Sequence, residues 1–342
     1  MAEAIFHIGM GKTGTSSIQA ALLGNSAALE AARTRYMGMW MEHLDPAFGG
    51  FAGFLKFRDQ PQENFAPQAE RLARMMEEAG RDGGPQRFIF SNEAYLPLLG
   101  TFRPFFAALA ELVDLRIVAY ARPAGSWLPS ACAQWALLHK TNAGPIETLG
   151  EAGTRLMVQY EPIPQWHDMF GDRMVLRLFH QGIDILEDFS TVIGVPLGSD
   201  GFQRQARLPI SDQILRAAIN NQMQPPCLPD LAERVYLPQP RGGLTGSVSG
   251  KFRHLFDNSQ LRPVIDAHAP MLREIEAKTG IDLISEPIAP TPAYDAGLVA
   301  DELIGSLLDI TARQALQLRR SEKRIGELET RLEALEKRLS GG

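Results

Sequence analysis

The sequence predicts an α/β protein, a parallel sheet flanked by helices, with a long C-terminal helix attached. Three observations carry this. Short apolar runs at Ile5–Ile8, Arg87–Ser91, Leu115–Tyr120 and Met174–Phe179 alternate with segments of helical periodicity. Glycines, a lysine and hydroxyl residues crowd the first turn, Gly9–Ser17. Polar residues follow two later strands directly, as Ser91-Asn92-Glu93 and Arg122-Pro123. Ligands of such sheets sit at the carboxyl ends of the strands, where all these groups fall.

Taken in order, Ile5, Phe6 and Ile8 read as a short buried strand. Gly9, Gly11 and Gly14 punctuate a tight loop, and Ser16 to Leu23 opens a helix with Ile18, Ala21 and Leu22 on one face and Gly24 as its stop. Such a loop aims backbone N–H groups and a helix N-terminus at one point, and a phosphate is the natural occupant. Lys12 adds a positive charge, and Thr13, Thr15, Ser16 and Ser17 add hydroxyl donors. Tyr36 to Phe57, rich in Met, Phe, Trp and Gly, is expected to pack as core under an insertion or to form an apolar wall for an acceptor. Helices are expected at Gln68–Ala79, Phe102–Leu112, Ser126–His139, Ile183–Ile193, Ile210–Gln222 and Val264–Lys278, with a Pro/Gly-rich loop from Pro225 to Gly250.

The chain has 342 residues, 45% of them hydrophobic and 22% charged, enough for one large globular domain with an appendage. The domain is expected over residues 1–285, a Pro-rich linker over 286–300, and a C-terminal helix over 301–342. A net charge of −6 gives no support for a nucleic-acid or anionic-membrane partner, so anion binding needs a local basic pocket. Cys132 and Cys227 are far apart and form no C-x-x-C motif, so a reducing cytoplasm is the expected location. No apolar run approaches the roughly 18 residues needed to span a bilayer. The seven histidines are scattered without metal-ligand spacing, and no metal is expected.

Gly11-Lys12-Thr13-Gly14-Thr15-Ser16 is not a Walker A loop, because Lys12 precedes Gly14 rather than following the last glycine. It resembles the phosphosulfate loop of sulfotransferases that use 3′-phosphoadenosine 5′-phosphosulfate (PAPS), with Gly11 where proline is usual. Tyr120-Ala121-Arg122-Pro123…Ser130 resembles the same family's segment for the nucleotide 3′-phosphate, an arginine at a strand end and a serine eight residues on. The resemblance covers residues 4–195 and implies a P-loop-like sulfotransferase fold with PAPS as co-substrate. Lys12 would stabilise the transferred group, with Gly11, Thr13, Gly14, Thr15, Ser16 and Ser17 around the 5′-phosphosulfate and Arg122 and Ser130 on the 3′-phosphate. Many glycan sulfotransferases carry a glutamate after the second strand, which Glu93 resembles. Glu93 is thus the expected general base, with His139 and His180 as rivals. The implied acceptor is a hydroxyl or amine, with a glycan favoured. Arg241, Gly242, Gly243 and Lys251 only loosely resemble the family's late phosphate segment.

Two other readings compete. A P-loop NTP-dependent kinase would need the Walker A order and an acidic magnesium site after a strand, which the sequence lacks. A non-catalytic scaffold would not need Lys12, Arg122 and Ser130.

Leu318, Ile325, Leu332 and Leu339 recur every seven residues, and Leu328 and Leu335 take the complementary position, broken at Ser321. This is an a/d heptad seam. Arg324, Arg331 and Arg338 fall at g, and Glu322, Glu329 and Glu336 at e. A parallel pair sets Arg against Glu, and an antiparallel pair sets like charges together. The expectation is a parallel homodimer through a coiled coil.

Overall fold

The computed structural model describes residues 2–140, 146–180, 182–198, 210–220, 256–292 and 295–340. Cys227 and the whole Arg241–Phe252 segment lie outside them. The chain divides into two compact units. The first comprises Met1–Cys132, Thr148–Ala206 and Asn258–Pro290, and the second Ala133–Glu147, Arg207–Asp257 and Thr291–Gly342.

The first unit is built on a sheet of β1 (Glu3–His7), β2 (Thr34–Tyr36), β3 (Arg87–Ser91), β4 (Asp114–Ala121) and β5 (Met174–Leu178). Every pairing is parallel and the order is β2-β3-β1-β4-β5. Connections from β1 run to one side as far as β3, then cross to β4 on the other. The switch point lies beside β1, where open α/β sheets bind ligands. His7 is in register with Ser91, so β1 and β3 end together, and with Val118 of β4, which runs on to Ala121.

Strand alternation sends successive residues to opposite faces. Ile5, Ile89, Val118 and Tyr120 pack with Ile18 and Leu22 of α1 (Thr15–Gly24), Leu29 of α2 (Ser26–Ala31), and Leu186, Phe189 and Ile193 of α9 (Ile185–Ile193). Phe6 faces the other way, stacked on Phe90 at 4.4 Å and edge-on to Phe106 at 5.0 Å. That layer adds Phe54 and Phe57 of α3 (Gly50–Arg58), Phe65 of α4 (Phe65–Ala79), Phe102 and Phe105 of α5 (Leu99–Leu112), and Trp166 of α8 (Pro162–Phe170). Each aromatic pair adds about 0.5–1.5 kcal/mol beyond the area it buries. The Tyr36–Phe57 stretch therefore goes largely into core: Met37, Met41, Phe54 and Phe57 are buried, while Phe51 is exposed.

The helix expected over Ser126–His139 is divided. An α-helix, α6, runs Ala124–Cys132, and a π-helix follows over Ala133–Leu138. Pro129 falls in the second turn of α6. Proline has no N–H to give the carbonyl four residues back. That carbonyl, on Gly125, instead accepts from Ala289 N at 3.0 Å. The segment carrying Ala289 lies so close that a Cβ on Gly125 would sit 2.6 Å from the Glu286 carbonyl oxygen. The first unit also contains α7 (Leu149–Met157) and α11 (Arg262–Thr279).

In the second unit, α10 (Ile210–Asn220) and the start of α12 (Ala296–Ser340) enclose Leu137, Ile214, Ala217, Phe256 and Val299. Farther along α12, Leu318, Ile325, Leu328 and Leu332 are 64%, 54%, 53% and 58% exposed, which leaves this part of the heptad seam uncovered. No helix among the described residues is long and apolar enough to cross a membrane.

Candidate active site

The loop from β1 to α1 keeps to β4 as it leaves the sheet. Ile8 N donates to Val118 O at 2.9 Å, and Met10 N to Tyr120 O at 2.9 Å. The chain then turns through three residues with positive φ: Gly9 at 108°, Lys12 at 66° and Gly14 at 84°. Gly9 is required for two reasons, its φ and its neighbour: a Cβ there would lie 2.9 Å from Glu93 Cβ. Lys12 has a Cβ and still adopts the left-handed region, which costs about 1–2 kcal/mol. Such strain persists where surrounding bonds over-determine it.

Those bonds are present. The hydroxyls of Thr13 and Thr15 both turn in to the Met10 carbonyl. The sequence reading aimed these hydroxyls at an anion; the structure uses them to hold the loop. The Gly11 carbonyl accepts from Trp127 Nε1 at 2.9 Å, and the Lys12 carbonyl from Arg122 Nη1 at 3.3 Å. Gly14 is the N-cap of α1 and no side chain caps it. The first amides of a helix have no partner within it, so those of Thr15 and Ser16 stand at an open, electropositive end. Ser16 is exposed and Ser17 half-buried at this end.

Arg122 extends from the end of β4. Its Nε donates to Ser126 Oγ at 3.1 Å, and the guanidinium lies 5.5 Å from the centre of the Phe179 ring. Burial pulls its pKa below the usual arginine value, opposed by the nearby Glu286 carboxylate. Ser130 is half-buried and stands one turn beyond Ser126 on α6. The i, i+4 spacing puts both serines on one face, but the hydroxyl bonded to Arg122 is that of Ser126, which sequence reasoning passed over.

Glu93 follows β3, as expected. Asn92, not Glu93, caps the short helix that comes next, its side chain accepting from Ala94 N at 3.0 Å. The Glu93 carboxylate accepts instead from Gln19 Nε2 at 3.3 Å, and the same amide donates to Ser91 O at 3.0 Å. Gln19 lies on α1, so the loop helix and the β3 end are tied together at the glutamate. His139 belongs to the second unit and bonds Gln134 at 2.6 Å. His180 is exposed, its Nδ1 accepting from Gly182 N at 3.1 Å.

Beneath the loop is His7, fully buried, with Nδ1 2.8 Å from Ser91 Oγ. Burial lowers its pKa to about 3, so the ring is neutral at physiological pH. Its only sequence signal is a polar residue within an apolar strand. Among the described residues, no group of three His, Cys, Asp or Glu is placed to hold a metal.

The structure thus gathers Lys12, the start of α1, Arg122 and, against Gly9, Glu93 at one strand edge. No family model and no curated protein matches the chain. One solved structure that matches the chain is a sulfotransferase. It is the crystal structure of the enzyme from Alicyclobacillus acidocaldarius, matched at 13% identity over 64% of this chain and 96% of that chain, with a TM-score of 0.35.

Proposed function

We propose that the chain is a sulfotransferase that moves a sulfuryl group from PAPS to a hydroxyl or amine, with a glycan as the favoured acceptor. The observation that carries this reading is the bond from Arg122 to the Lys12 carbonyl, which joins two phosphate-type motifs 110 residues apart. The uncapped start of α1 supports it, because orphan amides there suit a phosphate. In this reading the amides near Gly14–Ser16 and the Lys12 ammonium take the phosphosulfate. Arg122, with Ser126 and Ser130 beside it, takes the 3′-phosphate. The acceptor oxygen attacks sulfur and its proton passes to Glu93. The bond from sulfur to the bridging oxygen breaks, and adenosine 3′,5′-bisphosphate leaves with the electron pair. Positioning and charge neutralisation supply most of the rate in transfers of this type.

Calorimetry with adenosine 3′,5′-bisphosphate and, separately, ATP with magnesium tests the reading. Micromolar binding of the bisphosphate alone is expected. Preference for ATP would move the chain to the kinase class.

The exposed seam on α12 supports a further proposal, a parallel homodimer. With Arg324 and Arg331 at g and Glu329 and Glu336 at e, only parallel strands set opposite charges together.

A further inference from the structure

The sheet ends on two strands of different character. β2 is three residues long and carries exposed Arg35, features that discourage another chain from pairing with it. β5, Met174-Val175-Leu176-Arg177-Leu178, contains neither proline nor lysine, and among the described residues it pairs with β4 alone. Phe179 N donates to Ala121 O at 2.7 Å, so Val175, Arg177 and Phe179 turn their backbone groups toward β4. Leu176 and Leu178 therefore turn theirs outward. Neither has a backbone partner on that side among the described residues.

The one charge on β5 does not guard this edge. Arg177 Nε donates to Asp188 Oδ1 at 3.1 Å, and its Nη2 donates to Oδ2. Tyr120 Oη donates to the same Asp188 Oδ1 at 2.7 Å. The guanidinium is thereby neutralised and drawn over the face that α9 covers. A cavity of about 590 Å³ opens on the edge, lined by Leu176 and Leu178, by Glu187 and Thr191 of α9, and by Ile281 beyond α11. Glu187 and Thr191 are exposed and stand one turn apart. Asp184, also in the lining, spends its carboxylate on the amides of Leu186 and Glu187. Glu187 forms no ion pair among the described residues.

Backbone donors and acceptors that recur every second residue match an extended polypeptide. Main-chain bonds then supply affinity, and alternate side chains supply selectivity. A strand laid outside β5 would set every second side chain on the α9 side, against Glu187. The others would fall on the opposite face, with the side chains of Leu176 and Leu178. The first set suits cations and the second suits apolar groups.

We propose that the outer edge of β5 is a docking site for an extended segment of a partner protein in which basic and apolar residues alternate. The site does not rest on the sulfuryl-transfer reading. Synthetic peptides of about ten residues, the upper length of a common strand, test it by calorimetry on the full chain. One alternates Lys and Val, one alternates Glu and Val, and one is the Lys–Val peptide with two adjacent central residues N-methylated. The Lys–Val peptide should bind at least about tenfold more tightly than the other two. Amide hydrogen exchange at Leu176 and Leu178 should slow in its presence. Glu187→Lys should reverse the preference between the Lys and Glu peptides. Binding that survives N-methylation would show charge attraction without strand addition and overturn the proposal. So would equal binding of the Lys and Glu peptides, no binding of any, or unchanged exchange at β5. The peptide comparison on the unsubstituted chain decides the matter even if the variant does not fold.

Discussion

Ser126 Oγ accepts from Arg122 Nε at 3.1 Å and donates to Glu286 Oε2 at 3.0 Å. One hydroxyl thus stands between the cation proposed to grip a phosphate and a carboxylate that would repel it. Glu286→Gln should therefore tighten bisphosphate binding by about fivefold, on the scale of 1 kcal/mol for partly exposed charges. Calorimetry measures this directly. Weaker binding in the variant would mean that the carboxylate serves to orient Ser126.

Lys12→Ala and Arg122→Ala should differ in kind. Lys12 is assigned to the transferred group, so its loss should lower turnover more than bisphosphate affinity. Arg122 is assigned to a remote phosphate, so its loss should weaken binding by about 1.5–3 kcal/mol. Unchanged affinity in Arg122→Ala would remove that assignment.

Glu93→Gln should lower sulfuryl transfer by about 10²–10⁴-fold and spare bisphosphate binding. Gln19→Ala, which frees the carboxylate from its amide partner, should reduce turnover less. A Glu93→Gln variant with near-normal turnover would move the search for the base to His139 or His180.

His7 predicts an acid-sensitive fold. Its pKa is about 3 in the folded chain against 6.5 when unfolded. Between these values the unfolded chain binds the extra proton, so stability falls as pH drops below 6.5. The slope from this group approaches about 1.4 kcal/mol per pH unit. Urea unfolding at pH 7, 6 and 5 should show a shallower loss in His7→Gln than in the unsubstituted chain. Parallel losses would show that other groups set the acid limit.

For the helix seam, light scattering of the full chain should give a dimer, and Ile325→Lys with Leu328→Lys should give a monomer. A chain stopped after Gln317 is a second test that keeps Val299 and Leu303, which pack with Ile214. If all three are monomers at micromolar concentration, the seam has another use.

Four strands were legible because each is a mainly apolar run, broken only by single polar residues such as Arg116 and Arg177, as suits strands covered on both faces. β2 was not, since Thr34-Arg35-Tyr36 is three residues long and carries no apolar run. α8 was not anticipated, although its Pro162 suits a first helical turn. At the site, Lys12, Glu93 and Arg122 were legible as polar residues at strand ends. Ser126 and Gln19 were not, because what they do depends on Glu286 and Glu93, which only folding brings near.

The strained Lys12 backbone has one more consequence. Its carbonyl is held by Arg122, so the grips proposed for the two ends of one nucleotide are already fastened together before any ligand arrives. Loss of either grip should loosen the other, and single substitutions at Lys12 and Arg122 should not add. A double-mutant cycle on bisphosphate binding would read the shortfall as the coupling energy of a receptor shaped in advance.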